Sequence, residues 1–272
     1  MTQSCQVKIY CGSDHVKIRI VKKPDATYRE VEQLYKEFEV VDGEAELCVA
    51  IGGDGTFVDA ARNFPGPVLP IRGNEMGSTG FFADLSVDDI DFIVQRLKKG
   101  DYEIEAIGRK IEIIHDGHHY YAINEVSLDY LPPQEVHFRM YRIRNGLREN
   151  LFPYVMRGNG LIITGSIGST AYNRSLSGPI ILDQDVFCIT LVAPDGIYNN
   201  PIILNRKEEF DIQMVHGNGQ LAYDGIKVAT IRENENFHVK ASDRTVDLVR
   251  FHERREGFDS KLRRLIESRM IR

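Results

Sequence analysis

The chain has 272 residues, 42% of them hydrophobic and 27% charged, with a formal net charge of −6. This balance excludes disordered and fibrous classes, and the acidic excess argues against gripping nucleic acid through its phosphates, although a small phosphate ligand needs only a local site. No apolar run approaches the ~20 residues of a membrane span, and Met1-Thr-Gln-Ser-Cys-Gln-Val-Lys8 lacks the regions of a signal peptide, so a cytoplasmic setting is expected.

Cys5, Cys11, Cys48 and Cys188 lie at no metal-binding or disulfide-framework spacing, so neither is expected. Val7–Cys11 reads as a short strand. Val31, Leu34, Tyr35 and Phe38 recur at helical spacing and predict one buried face. Leu47–Ile51 is a continuous apolar strand of the kind buried on both faces, and it runs into Gly52-Gly-Asp-Gly-Thr56. A helix to about Asn63 and a strand at Val68–Ile71 follow. Ser86-Val-Asp-Asp89 is a capping-box variant, and the helix after it buries Ile90, Ile93, Val94 and Leu97. Repeated strand–helix units predict an α/β domain over residues 1–100 with a parallel, doubly wound sheet.

From residue 101 the pattern turns to antiparallel β, giving a β-rich domain over 101–245. Asp116-Gly117 and Asn218-Gly219, each flanked by strand-like runs, are hairpin signals. Strands are expected at Val136–Arg144, Gly160–Thr164, Phe187–Val192 and Asn236–Ala241. Residues 246–272 return to mixed character: the strand Val246–Phe251, then a helix with Leu262, Leu265 and Ile266 on one face.

The chemistry gathers at the glycine clusters. Glycines 52, 53 and 55 let backbone approach a ligand closely, and the helix that follows offers free amides and a positive dipole end to phosphate. Neither a Walker lysine nor a Rossmann fingerprint is present. Asp54 would repel phosphates unless it binds Mg²⁺ or takes a proton from an attacking hydroxyl. A second cluster spans Gly73–Phe81, and a third runs from Arg157-Gly-Asn-Gly160 through Thr164–Tyr172. Three such segments suggest backbone converging on one polyanionic ligand. Asn124-Glu125 suits an adenine edge or a ribose diol.

Gly52-Gly-Asp-Gly-Thr56, Asn124-Glu125 and Gly168-Ser-Thr-Ala-Tyr172, in that order, resemble the NAD kinase family over most of the chain, roughly Leu47 to Phe251. The resemblance implies transfer of phosphate from ATP or polyphosphate to the 2′-hydroxyl of the adenosine ribose of NAD. It implies a divalent metal such as Mg²⁺, a homodimer or homotetramer, and a C-terminal segment (246–272) packing back on the α/β domain. Asp54 would be the catalytic carboxylate, with any metal held mainly by donor phosphates. Gly52, Gly53, Gly55 and Thr56 would wrap phosphates. Asn124, Glu125, Asn159, Thr170, Ala171, Tyr172, Ser175 and Asp224 would bind NAD. Departures from the family pattern stand at Glu75, Thr79 and Asn159 (usually Asp), and at Thr164-Gly165-Ser166. The glycine loop alone also suits a lipid or other small-molecule kinase, and the departures suit a non-catalytic dinucleotide-binding module.

Three other features have simpler readings. His115, His118 and His119 flank a predicted turn and read as solvated. Eight cations against four acids in residues 250–272 read as a basic solvent face. Asn173-Arg-Ser175 matches a glycosylation sequon without other signs of secretion.

Overall fold

The computed structural model describes residues 8–9, 16–23, 29–73, 80–182, 186–196 and 198–270. The chain forms two compact units, Met1–Ala106 with Val246–Arg272, and Ile107–Thr245. The expectations for Cys5, Cys11, Glu75 and Thr79, and for most of the second glycine cluster, fall outside the described residues.

The first unit contains, in chain order, β1 (Lys8–Ile9), β2 (Lys17–Lys22), α1 (Glu32–Glu37), β3 (Glu39–Val40), β4 (Leu47–Gly52), α2 (Asp54–Asn63), β5 (Val68–Arg72), β6 (Leu85–Ser86), α3 (Ile90–Lys99) and the start of β7 (Glu103–His115). Strands β3, β2, β4, β5 and β6 pair in that order, all parallel. Every residue of β4 is buried, as a strand covered on both faces must be. Its alternate side chains Leu47, Val49 and Ile51 join a core with Leu34 of α1 and with Ile90, Ile93 and Leu97 of α3. Pleating turns Cys48 and Ala50 to the other face, and α2 lies against β4. The box at Ser86 forms, its amide donating to Asp89 Oδ2 at 3.0 Å, and left-handed Gly100 closes α3.

Two expectations here are corrected. Tyr35 is 51% exposed: α1 has only six residues, and Val31 sits in the short 3₁₀ turn before it, so the buried stripe narrows to Val31, Leu34 and Phe38. The parallel strand beside β4 is β2, from the alternating run Lys17–Lys22, and the described part of the expected first strand, β1, is antiparallel to β7.

The second unit holds the rest of β7, then β8 (His118–Ala122), β9 (Glu125–Tyr130), β10 (Val136–Arg144), β11 (Leu147–Asn150), β12 (Met156–Thr164), α4 (Tyr172–Ser175), β13 (Val186–Pro194), β14 (Ile202–Asn205), β15 (Glu209–His216), β16 (Gly219–Tyr223), β17 (Ile226–Ile231) and the start of β18 (Asn236–Arg250). Its paired strands are antiparallel. β12 sits between β9 and β13, and β9 pairs on with β16. Phe138, Phe187, Phe210 and Phe237 fill the core.

The Asp116-Gly117 hairpin forms with both residues at positive φ (48° and 74°). Asn218-Gly219 does not make one. β15 pairs with β10 and β18, while β16 pairs with β9 and β17, because Gly217 (φ 80°) turns the chain away before the expected site. The turn that closes β16 onto β17 is Asp224-Gly225, at φ 47° and 77°. His115 is buried rather than solvated, its Nδ1 lying 3.1 Å from the Asn236 carbonyl oxygen.

Residues expected as two strands, Asn236–Ala241 and Val246–Phe251, instead form one 15-residue strand, β18, that runs from the second unit into the first. There Leu248 pairs in parallel with Val68 of β5, and Val249 and Phe251 enter the core beside α3. The last helix, α5 (Phe258–Met270), buries Leu265 but leaves Ile266 51% exposed. Its inner face is built around Lys261 and Leu265, so the basic residues do not simply form a solvent face.

Candidate functional site

In the first unit the strand β4 ends at Gly52 and α2 begins at Asp54 after one extended residue, Gly53. Gly52 has φ 147°, and a Cβ there would lie 2.5 Å from Thr56 Oγ1, so the buried Thr56 hydroxyl and the turn require glycine together. A Cβ on exposed Gly55 would meet nothing within 4 Å. The amides of Gly53, Asp54 and Gly55 are those an α-helix cannot satisfy from within, and they lie at its positive end.

Asp54 is half-buried, and its Oδ1 accepts a hydrogen bond from the Phe82 amide at 3.2 Å. Burial pushes its carboxyl above the ordinary range, while the Phe82 and Phe81 amides and the charges of Arg264 and Lys261 pull it back. The loop that supplies those amides is held from the C-terminal segment. Arg250 Nη1 donates to the Phe82 carbonyl oxygen at 2.9 Å and to Asp84 Oδ2 at 2.7 Å. Lys261 Nζ pairs with Asp84 Oδ1 at 2.7 Å. Arg264 Nη2 donates to the carbonyl oxygens of Gly80 and Ala83 at 2.7 and 3.1 Å. Phe81 meets Phe258 of α5 edge-on, and Phe82 packs on Phe57 of α2.

In the second unit a different cluster forms. The Asp224 carboxylate accepts from the amides of Ile123, Asn124 and Glu125, the shortest contact being 2.7 Å to Asn124. Thr164 Oγ1 donates to the Asn124 carbonyl oxygen at 2.7 Å. The Asn124 backbone is thereby fixed from two sides, and its side chain stays half-buried. Glu125 is buried, and its Oε2 has no hydrogen-bond partner among the described residues. Burial, together with the charges of Asp224 and Asp129, pushes its carboxyl up to about 7. Tyr172 stands close enough to Asp129 and Glu125 for both charges to add to burial in raising its hydroxyl pKa.

Gly168 explains how the Ser-Thr-Ala-Tyr run comes to this place. A Cβ there would lie 1.9 Å from the Asn124 carbonyl oxygen, so only glycine lets the 3₁₀ turn Ile167–Thr170 sit against the Asn124-Glu125 turn. Thr170 and Ala171 are half-buried at its end, and Ser175 is exposed at the end of α4.

Arg157-Gly-Asn-Gly160 is not a loop. It lies inside β12, where Gly160 is opposite Asp129 of β9, and Asn159 is half-buried beside it. A Cβ on Gly158 would lie 2.7 Å from the Ala193 carbonyl oxygen and one on Gly160 1.8 Å from that of Leu128, so these two glycines serve close strand packing. Asn173 is fully buried, its amide spent on Pro179 and Thr190, which removes the sequon from consideration. Nothing local in the sequence singles out Thr164 as an anchor, Asp129 as a neighbouring charge, or Arg250 and Lys261 as buried cations. Asp129 carries only strand alternation as a signal.

Among the described residues no three metal-ligating side chains converge. A divalent ion here would therefore take its ligands mainly from phosphate oxygens and water, as Mg²⁺ does.

An α/β unit and a β-rich unit in one chain are shared with solved structures. The yeast NADH kinase complexed with NADH matches with a TM-score of 0.76 at 16% identity, covering 98% of this chain and 91% of that one. An NAD kinase from Archaeoglobus fulgidus in complex with ATP gives 0.71 at 16% identity, over 91% and 99%. The fold is thus one used by kinases of nicotinamide dinucleotides. In sequence, residues 6–102 match the ATP-NAD kinase N-terminal domain and residues 123–251 the ATP-NAD kinase C-terminal domain. The chain belongs to the NAD kinase family. It is 28% identical to the NAD kinase of Sulfurimonas denitrificans over 221 residues, 78% of this chain and 74% of that protein. It is 29% identical to that of Bacteroides fragilis over 221 residues, 78% and 73%.

Proposed function

We propose that this protein phosphorylates NAD to NADP, transferring the terminal phosphoryl group of ATP to the 2′-hydroxyl of the adenosine ribose. The observation that carries the reading is Asp54, a carboxylate at the positive end of α2, fixed by the Phe82 amide beside glycines that leave room for a ligand. Family membership selects NAD over a lipid acceptor, and the ATP complex of the Archaeoglobus enzyme favours ATP over polyphosphate.

Asp54 accepts the proton of the 2′-hydroxyl as that oxygen attacks the terminal phosphorus and the bond to the departing phosphate breaks. Burial supports this role, because it raises the carboxylate's proton affinity toward working pH. The α2 amides receive phosphate oxygens. A bound divalent ion, held mainly by the donor phosphates, would supply further neutralisation of phosphate charge. The unpartnered Glu125 Oε2 and the Asn124 amide are polar groups suited to the adenosine half of NAD, with Thr170, Ala171 and Tyr172 beside them. Asn159, Ser175 and Asp224 complete the proposed set, Asp224 acting through the Asn124-Glu125 turn that it holds. The family resemblance adds a homodimer or homotetramer working in the cytoplasm, the assembly being read by light scattering.

The test is NADP formation from NAD, ATP and Mg²⁺, read with an NADP-specific dehydrogenase. Asp54→Asn should cut kcat by about a thousandfold or more while NAD affinity by calorimetry changes less than about threefold. Near-normal turnover in that variant would sink the assignment of the base.

A further inference from the structure

The C-terminal segment carries charged groups that the proposed chemistry does not yet use. Lys261 and Arg250 are 7% and 8% exposed, and both bind one carboxylate, Asp84. Burying two cations is costly unless they are paired and hydrogen-bonded, so the cluster is more than surface charge. Arg250 also bonds Glu105 at 3.0 Å, and Arg255 pairs with the same Glu105. Arg264 pairs with Glu256, whose other oxygen faces Arg72 at 3.9 Å. The network thus sets the cations Arg72, Arg250, Arg255, Lys261 and Arg264 against the acids Asp84, Glu105 and Glu256. Of these cations, Arg264 and Lys261 act on the carboxylate of Asp54.

We infer that Lys261 is a positioning residue for Asp54: through Asp84 it fixes the Gly80–Asp84 loop whose Phe82 amide orients the Asp54 carboxylate. The inference rests on the kinase reading for its kinetic consequence only. The same loop is gripped at Gly80 and Ala83 by Arg264, one helical turn further along α5. Two cations spaced three residues apart on one helix face therefore hold both ends of the loop segment. The Lys261 ammonium is spent on Asp84 and buried, so it does not present itself to a phosphate.

The experiment compares the full-length protein with Lys261→Met, which keeps the aliphatic stem and removes the charge. Carbon-13 NMR follows the aspartate carboxyls with pH, Asp54 being assigned by its loss in Asp54→Asn. The Asp54 midpoint should rise in the variant, as the Phe82 amide loosens its hold and a nearby positive charge is lost. In the NADP assay kcat should fall about tenfold, with KM for NAD and for ATP within about twofold of the parent, as expected when a reacting group is misplaced while substrate binding stays intact. An unmoved midpoint, or an unchanged kcat, in a folded Lys261→Met protein overturns the inference. If that variant does not fold, Arg264→Gln, at a less buried cation on the same loop, is judged by the same two readouts. A parent protein that makes no NADP while its Asp54 midpoint still responds to Lys261→Met would sink the kinase reading and leave the positioning role standing.

Discussion

Glu125 is a carboxylate held out of water among other acids. Its carboxyl, ordinarily near 4.5, is pushed to about 7 by burial and by Asp224 and Asp129. A raised folded-state value means that the native protein holds this proton more tightly than the unfolded chain. The contribution is fully present below pH 4.5 and is lost as pH rises through 7. Glu125→Gln, which keeps the shape without the charge, should therefore stabilise the protein by about 3 kcal/mol at pH 8 and change little at pH 4.5, as measured by urea unfolding at the two pH values. The orphaned Oε2 is the counterpart of this cost. A group left unpaired in the free protein is ready for a hydroxyl donor, and NAD binding should weaken in Glu125→Gln even as stability rises.

At the scale of elements, the Asp224-Gly225 turn does two things. Its positive φ values close β16 onto β17, and its carboxylate ties down the amides that lead from β8 into β9. Asp224→Asn keeps a residue that tolerates left-handed backbone but weakens hydrogen bonds made to a charged acceptor. It should cost about 1–3 kcal/mol in chemical denaturation at pH 7, and it should lower the Glu125 midpoint by removing a neighbouring negative charge. This turn also shows what is legible in the sequence and what is not. β4 with its loop, α3 with its box, and the Asp116-Gly117 hairpin all follow from local rules, since each depends on residues a few positions apart. Asn218-Gly219 has an equally good local signal, yet β15 and β16 each find a better partner far away in the chain. Asp54, Asn124 and Glu125 are readable as motifs. What fixes them, Phe82 for one and Asp224 with Thr164 for the others, comes from distant segments whose sequence carries no sign of the interaction. The cations of α5 mislead for the same reason, because charge alone does not reveal that Asp84 waits on the other side.

On the scale of the whole molecule, the first unit is made of two stretches separated by 139 residues of the second, Ile107–Thr245. Phe251, 3% exposed, sits in a core whose other members, apart from Val249, all come from residues 16–104. Phe251→Ala should cost about 3–5 kcal/mol, as much as a large-to-small change within that earlier stretch such as Leu69→Ala, and thermal unfolding would show it. A much smaller loss would mean that the returning strand is an accessory and not part of the core.

The return of β18 and α5 also orders events during synthesis. Residues 107–245 can emerge and pair among themselves while the first hundred residues still lack a strand and a helix. Only after Arg250, Lys261 and Arg264 leave the ribosome can the loop that steadies Asp54 be fastened. A nascent or proteolytically shortened chain would carry the glycine loop without its support, so competence arrives with the last stretch of polypeptide described here.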